Sequence, residues 1–441
     1  MMCGRKGIGA ETAMVVLSAA FLALAGTLWS ADEMTVIFTA STNGVLESCH
    51  CPGNRFGGLV NRAAVFDSLR GVYPEAVVVD AGDFLAYEPD SLKSVFVIQA
   101  MRACGYDAIQ PGDQDLALGV DFLLESGLPL LISPYPESDI TYLGIARKSF
   151  ERGGNRILIG GAFGRRLLGL LPDSIAEELG AMNAIDWWRN RDSWFEGRSD
   201  LVIVLSHQGF DRDVAFLEEV EGVDLVVSGH SQMRLEQPER HGGGWVVAAG
   251  KNAEYVGVVR FATAGDSLEL TGYELIPLTA DKTPESPEVA RLVKEYNRLH
   301  RERLKQRAIA AGRRYYGTAD CGMCHRAELE QWSRTPHSRA LTTLVERGKS
   351  DNASCLECHT TGFGFPGGFV DAERTPGMAG VGCEECHIIP TGTQFAPGVK
   401  HPALKMSRLV CTRCHTKPHI IEFDYDRAVK RVSHRPMIQG H

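Results

Sequence analysis

Beyond residue 29 the chain has no apolar run long enough to span a bilayer, which excludes a polytopic membrane protein. It also lacks any excess of positive charge. Its 46 Lys and Arg stand against 55 Asp and Glu, a formal net charge of -9, which argues against a nucleic-acid surface. From about residue 314 onward, strand-like apolar runs disappear, and Gly, Pro, Cys and His dominate. A segment so poor in core residues needs another source of packing mass. The rest of the composition is ordinary for a globular chain, with 44% hydrophobic and 23% charged residues. A length of 441 residues allows two or three domains.

What the last third does have is four copies of Cys-x-x-Cys-His. They are Cys321, Cys324 and His325; Cys355, Cys358 and His359; Cys383, Cys386 and His387; and Cys411, Cys414 and His415. Each is the attachment signature of a c-type haem. The two thiols add to the haem vinyl groups and the adjacent His is the proximal iron ligand. A zinc ribbon gives no reason for a His after every second Cys, and a disulfide framework gives none for the His at all. The expectation is four covalently bound c-type haems, which supply most of the packing mass of residues 314–441.

The N-terminus carries Arg5 and Lys6, then an apolar stretch over residues 13–29 broken only by Ser18, Gly26 and Thr27. That is the layout of a secretory signal, and Ala23-Leu24-Ala25 offers a small-x-small cleavage site. The same stretch also nearly reaches the length of a membrane anchor. Residues 1–31 are therefore read as signal peptide or anchor, and the destination as the periplasm or another extracytoplasmic space. Cys3 precedes the apolar stretch and is not placed as a lipoprotein cysteine.

Over residues 34–277, short apolar runs alternate with amphipathic stretches. TVIFTA, EAVVVDAG, LPLLISP, ILIGGAF, LVIVLSHQG, VDLVVSGH, WVVAAG and VGVVRF read as buried strands. NRAAVFDSLRGV, SLKSVFVIQAMRAC, VDFLLESG and DVAFLEEVEG read as helices between them. The alternation predicts an α/β domain with layered sheets. Chemistry collects at the strand ends, where open α/β sheets place their ligands: Asp83, Asp113, His207 and His230. Carboxylate with imidazole suits a divalent metal, Zn, Mn or Fe. The same residues can also serve as loop caps.

These segments resemble, in order, the calcineurin-like metallophosphoesterases, and in particular the 5'-nucleotidase catalytic domain. FTASTNGVLE, VVVDAGDFL, GYDAIQPGDQDLALGVDFL, IVLSHQG and VDLVVSGHSQ carry the resemblance across about residues 34–280. The resemblance implies a two-metal hydrolytic site, from which this chain departs. The opening Asp-x-His positions hold Ser41 and Asn43, and the Asn ligand becomes Asp113. The general-acid His becomes Gln114, and the final His becomes Gln232. Asp83, His207 and His230 are kept, so one metal half survives. Cys49-His50-Cys51 lies near the eroded half, as a soft-metal or redox group, a strained disulfide or idle thiols. Cys104 reads as a small buried hydrophobe.

Residues 317–425 resemble the cytochrome c-554 family of multihaem cytochromes, through CGMCHRAELEQWSRTPHSRA, CLECHTTGFG, VGCEECH and CTRCH with FDY after it. That implies stacked haems, mostly with two axial His ligands. His337 matches the family's distal position. The family's Gly-Pro-Gly-x-x-His after the third motif is absent, leaving His401 or His419 to replace it. His434 and His441, in the basic tail, rank behind them. One haem lacking a distal His would be five-coordinate.

The domains are expected at 32–282 (phosphoesterase-like), 283–313 (a charged linker helix) and 314–441 (a small, mostly helical and irregular tetrahaem domain). The function expected is electron transfer to periplasmic or membrane-bound redox proteins. The alternatives are a phosphoesterase or 5'-nucleotidase with attached haems, and a multihaem redox enzyme for a small nitrogen or sulfur compound.

Overall fold

Continuous apolar runs become the central strands. VVVD at Val77–Asp80 and LVIVLSH at Leu201–His207 are buried along their whole length, as strands covered on both faces must be. The computed structural model describes residues 33–48, 56–134, 141–143, 146–177, 179–181, 183–190, 199–264, 267–310, 315–387, 408–415 and 423–434. In chain order the strands are β1 (Glu33–Thr39), β2 (Val77–Asp80), β3 (Ala108–Ile109), β4 (Ile132–Pro134), β5 (Thr141–Leu143), β6 (Arg147–Arg152), β7 (Asn155–Phe163), β8 (Leu179–Ala181), β9 (Leu201–His207), β10 (Leu225–Ser228), β11 (Glu239–His241), β12 (Gly244–Val247), β13 (Tyr255–Ala264) and β14 (Ser267–Pro277).

They form a five-stranded sheet in the order β14-β13-β1-β2-β3 and a six-stranded sheet in the order β11-β12-β10-β9-β7-β6, with a small third sheet β4-β5-β8. Apolar side chains from both large sheets meet in one cluster, including Phe38, Val79, Ile159, Ile203, Val227 and Phe261. This is the layered α/β fold that the alternation predicts. The outer face of the six-stranded sheet is covered by Trp188 and Phe216. β14 has no counterpart among the predicted strands. Its alternating exposed and half-buried residues mark a sheet edge, without the continuous apolar run of a central strand.

Parallel register aligns the strand ends. Thr39 pairs with Asp80, Asp80 with Ile109, Phe163 with His207 and Ser206 with Ser228. Within each sheet the carboxyl ends are thus aligned, those of β1, β2 and β3 in one and those of β7, β9 and β10 in the other. A buried polar network ties down the ends of β1 and β2. Asp80 accepts from Thr39 Oγ1 at 2.6 Å and from the Gly82 amide at 2.9 Å. Arg62, fully buried, lies 3.9 Å from Asp80 and donates to Thr42 Oγ1 at 2.6 Å and to Tyr106 at 3.1 Å. Helix Ser91–Cys104 starts where Asp90 accepts from the Lys93 amide at 3.1 Å and stops at Gly105, whose φ of 64° suits glycine. Cys104 is fully buried, as expected of a small hydrophobe.

The chain divides into two compact units, the first of residues 1–47 and 57–286, the second of residues 48–56 and 287–441. The described elements of the second unit are helices, beginning with the 24-residue helix Pro287–Ala310 formed by the charged pattern. This unit has a small apolar core of its own: Leu304, Leu344, Ala353, Leu356, Phe363, Phe369 and Met378. Among the described residues, no helix is long and apolar enough to cross a membrane. Residues 1–31, Cys49, His50, Cys51, His401, His419 and His441 lie outside the described residues.

Candidate metal centre and haem-attachment region

In the first unit, Asp83, Asp113, His207 and His230 converge. One ligand atom from each lies within 4.8 Å of the others. His207, at the end of β9, is fully buried, and its Nδ1–H donates to the Ala81 carbonyl at 2.8 Å. That fixes the tautomer and leaves Nε2 facing Asp83 Oδ1 at 3.3 Å and Asp113 Oδ1 at 3.2 Å. His230 brings Nδ1 to 3.2 Å from the same Asp113 oxygen. Two carboxylates and two imidazoles, with one imidazole already held by a carbonyl, fit a single Zn, Mn or Fe ion. Burial disfavours charge on His207, yet Asp83 and Asp113 hold its pKa well above the usual value. Burial would raise Asp113, but hydrogen bonds with His207 and His230 outweigh it and hold Asp113 well below the carboxylate range. A metal must displace the proton these groups share, so its affinity rises with pH.

The backbone around the cluster is strained. Among the described residues the non-glycine residues at positive φ are Ser41 (48°), Asn43 (52°), Asp83 (57°), His230 (60°), Gln232 (54°), Asn252 (57°) and Ala253 (51°). Each such position costs of order 1–3 kcal/mol and persists where the surroundings over-determine it. Two glycines permit the close approach. A Cβ on Gly112 would stand 2.2 Å from Asp83 Oδ1, and one on Gly82 would stand 2.6 Å from the Gln110 carbonyl.

Two residues, Asp115 and Asp213, escaped the sequence reading here, and Gln114 was read there only as a replaced histidine. Asp115 accepts from the amides of Asp83, Leu85 and Gly112 at 2.7–2.8 Å and so shapes the loop. Burial, then the charge of Asp83, pushes its pKa well above the usual range. Gln114 donates to Asp83 from both its side chain, at 3.1 Å, and its backbone, at 3.3 Å. Asp213, fully buried, accepts from Ser206 and Gln208. Nothing but an Asp in a helix-forming stretch marked it.

Burial pushes Asp213 up to about 7. The folded carboxyl keeps a proton that the unfolded chain releases near about pH 4. Its contribution to stability is complete below that pH, declines as pH rises toward about 7, and is flat above it. Asp213→Asn should therefore gain stability relative to the parent between pH 4.5 and pH 8, read as urea midpoints. An equal difference at both pH values rejects the raised pKa.

In the second unit each of the four Cys-x-x-Cys-His motifs sits on a short helix or helical turn. At three of them the His amide donates to the first Cys carbonyl: His325 to Cys321 at 3.0 Å, His387 to Cys383 at 2.8 Å and His415 to Cys411 at 2.9 Å. One helical turn thus sets both thiols and the imidazole on one side. His359 Nδ1 donates to the Ala340 carbonyl at 2.8 Å, leaving Nε2 as its ligand atom. The motifs pair across the sequence. Cys321 and Cys383 are in hydrogen-bond contact, and so are Cys358 and Cys414.

Histidines pair too. The rings of His337 and His415 lie 6.0 Å apart, and so do those of His387 and His434. Two imidazoles bound trans to one metal through bonds of about 2 Å place their centroids about 6 Å apart. Gln331 orients His434: its Nε2 donates to the Val432 carbonyl at 3.4 Å, so its Oε1 accepts from His434 Nδ1–H at 2.7 Å. Phe423 stacks on His415 at 4.6 Å. His434, ranked behind His401 and His419 in sequence, lies against the motif residue His387, while those two lie outside the described residues.

The inner pair of CEECH was also illegible in sequence. Glu384 accepts from the amides of Tyr316 and Gly317 at 2.7–3.1 Å. Glu385 accepts from the Gly362 amide at 2.8 Å and contacts Arg413 of the fourth motif.

Known proteins agree with both halves. The first unit is an α/β unit similar to 5'-nucleotidases, and the second contains a segment similar to multihaem cytochromes. More particularly, residues 320–388 match the family described as cytochrome c554 and c-prime. Cytochrome c-554 of Nitrosomonas europaea is 33% identical over 95 residues, 18% of this chain and 40% of that one. Bovine 5'-nucleotidase is 27% identical over 248 residues, 48% of this chain and 41% of that one. The putative 5'-nucleotidase from Staphylococcus aureus, solved with alpha-ketoglutarate, has a TM-score of 0.51 at 19% identity, covering 71% of this chain and 66% of that one. That likeness is one of fold. The chain spans about two-fifths of these curated relatives, 40% and 41%.

Proposed function

We propose that this protein is an exported, extracytoplasmic multihaem c-type cytochrome that transfers electrons, joined to a phosphoesterase-like unit that holds one divalent metal. The observation that carries the reading is the pair of His–His spacings of 6.0 Å beside the helical Cys-x-x-Cys-His turns. Bound haem supplies a one-electron iron couple. The chain's own part would be to anchor each haem through two thiols, with His325, His359, His387 and His415 as the motif ligands, and with His337 and His434 as the second ligands for two of them. Asp83, Asp113, His207 and His230 would hold the metal. The apolar signal-like N-terminus and the covalent haem motifs support export, and the redox partners are periplasmic or membrane-bound proteins.

A second reading, metal-dependent hydrolysis of a phosphoester, is favoured by the four-residue cluster itself. Against it, Gln114 stands where an imidazole would protonate the leaving group, and its amide cannot do so. Ser41, Asn43 and Gln232 replace the ligands of the second metal. Each loss is typically worth about a hundredfold in rate.

One experiment addresses both readings. The haem-loaded protein should give about four haems by pyridine haemochrome and one divalent metal by mass spectrometry, with feeble turnover of AMP. One or two haems would defeat the cytochrome reading. Brisk turnover abolished by Asp83→Ala would establish the hydrolase.

A further inference from the structure

The geometry around Asp83 points to Gln114 as the residue that makes this a one-metal centre, its amide capping the Asp83 oxygen that a second divalent cation would need. The inference rests on the reading of Asp83, Asp113, His207 and His230 as metal ligands.

Asp83 uses its two oxygens differently. Oδ1 faces His207 Nε2 at 3.3 Å, inside the cluster. Oδ2 accepts from Gln114 Nε2 at 3.1 Å. An ionised carboxylate can only accept, so the orientation of the Gln114 amide is settled: nitrogen to Asp83, oxygen away. A carboxylate that bridges two metals needs both oxygens. Here the second one is occupied by a neutral donor, and Gln114 is held in place by its backbone amide, which donates to Asp83 Oδ1 at 3.3 Å.

The other side of the would-be site is neutral as well. Asn252 donates through Nδ2 to Glu254 at 3.4 Å, so its Oδ1 is the acceptor for Asn43 Nδ2 at 3.0 Å. That chain leaves Asn43 Oδ1 as the outward atom. Asn43 Oδ1, Ser41 Oγ and Gln114 Oε1 are all buried with no protein hydrogen-bond partner. The Asn43 amide donates to the Asp83 carbonyl at 2.8 Å, which keeps this group beside the cluster. Ser41, Asn43 and Gln232 share the left-handed backbone of Asp83 and His230. The scaffold of a second site is thus present, with its charge removed and the shared oxygen capped.

Two variants of the haem-loaded, full-length protein test this. Each is equilibrated with zinc at pH 8, dialysed and assayed for bound metal, with far-UV circular dichroism confirming the fold. The parent holds one zinc. Gln114→Glu, which is isosteric, turns the cap into a second carboxylate against Asp83 Oδ2, and this variant should hold two. The triple variant Ser41→Asp/Asn43→His/Gln232→His, with Gln114 kept, should still hold one. Two zinc ions in the triple variant, or one in Gln114→Glu, overturns the inference. No zinc in the parent instead removes the reading on which it rests.

Discussion

His434→Ala should convert the haem attached at Cys383 and Cys386 from six-coordinate low-spin to five-coordinate high-spin, and His337→Ala should do the same for the haem at Cys411 and Cys414. The cause is the spacing of each ring pair, 6.0 Å in both cases, at which the two imidazoles could hold one iron between them. Removing one imidazole would leave a haem bound there with one nitrogen ligand fewer and a weaker ligand field. Each variant should convert one haem in four, and the double variant two. Electron paramagnetic resonance and resonance Raman spectra read the change directly. Added imidazole should restore the low-spin signal in a folded variant, which separates ligand loss from misfolding. An unchanged spectrum in either variant removes that His from the axial set.

Asp80→Ala should destabilise the first unit by about 3–5 kcal/mol, because it strands the guanidinium of Arg62 in a dry interior. Both side chains are fully buried and 3.9 Å apart. Arg62 Nε and Nη2 already lack a protein partner, so no group stands ready to take over from Asp80. The double variant Asp80→Ala/Arg62→Met removes the stranded charge and should recover most of the loss. Urea unfolding followed by far-UV circular dichroism, with chelator present, measures both. A single-variant cost below about 1 kcal/mol would mean the charge is not held as tightly as its burial indicates.

The α/β layering was legible because central parallel strands announce themselves as continuous apolar runs: LVIVL became β9 and VDLVVS became β10. Edge strands were not. RKSFER and SLELTGYELIP alternate in exposure, and nothing in their composition separates them from loop or amphipathic helix. The convergence of Asp83, Asp113, His207 and His230 was legible from strand ends, since parallel register aligns those ends within each sheet. Gln114 was legible only as a missing histidine. That its amide turns back onto Asp83 depends on the loop geometry that Asp115 sets through three backbone amides. The haem motifs were plain from spacing. His337 was named in sequence only through the resemblance, and which motif His each spare His meets was not legible, because His337 and His415 come together only through tertiary packing and His434 owes its orientation to Gln331, far away in sequence.

Glu384 and Glu385 have a consequence for how the second unit comes together in time. Synthesis delivers the four motifs one after another, and these two carboxylates belong to the third. They bind the approach to the first motif, the exit from the second and the arginine inside the fourth. The second motif also rests on a core whose members, among them Leu304, Leu344, Leu356, Phe363 and Phe369, all precede the third motif, so what the third motif adds is the set of ties that joins the first, second and fourth.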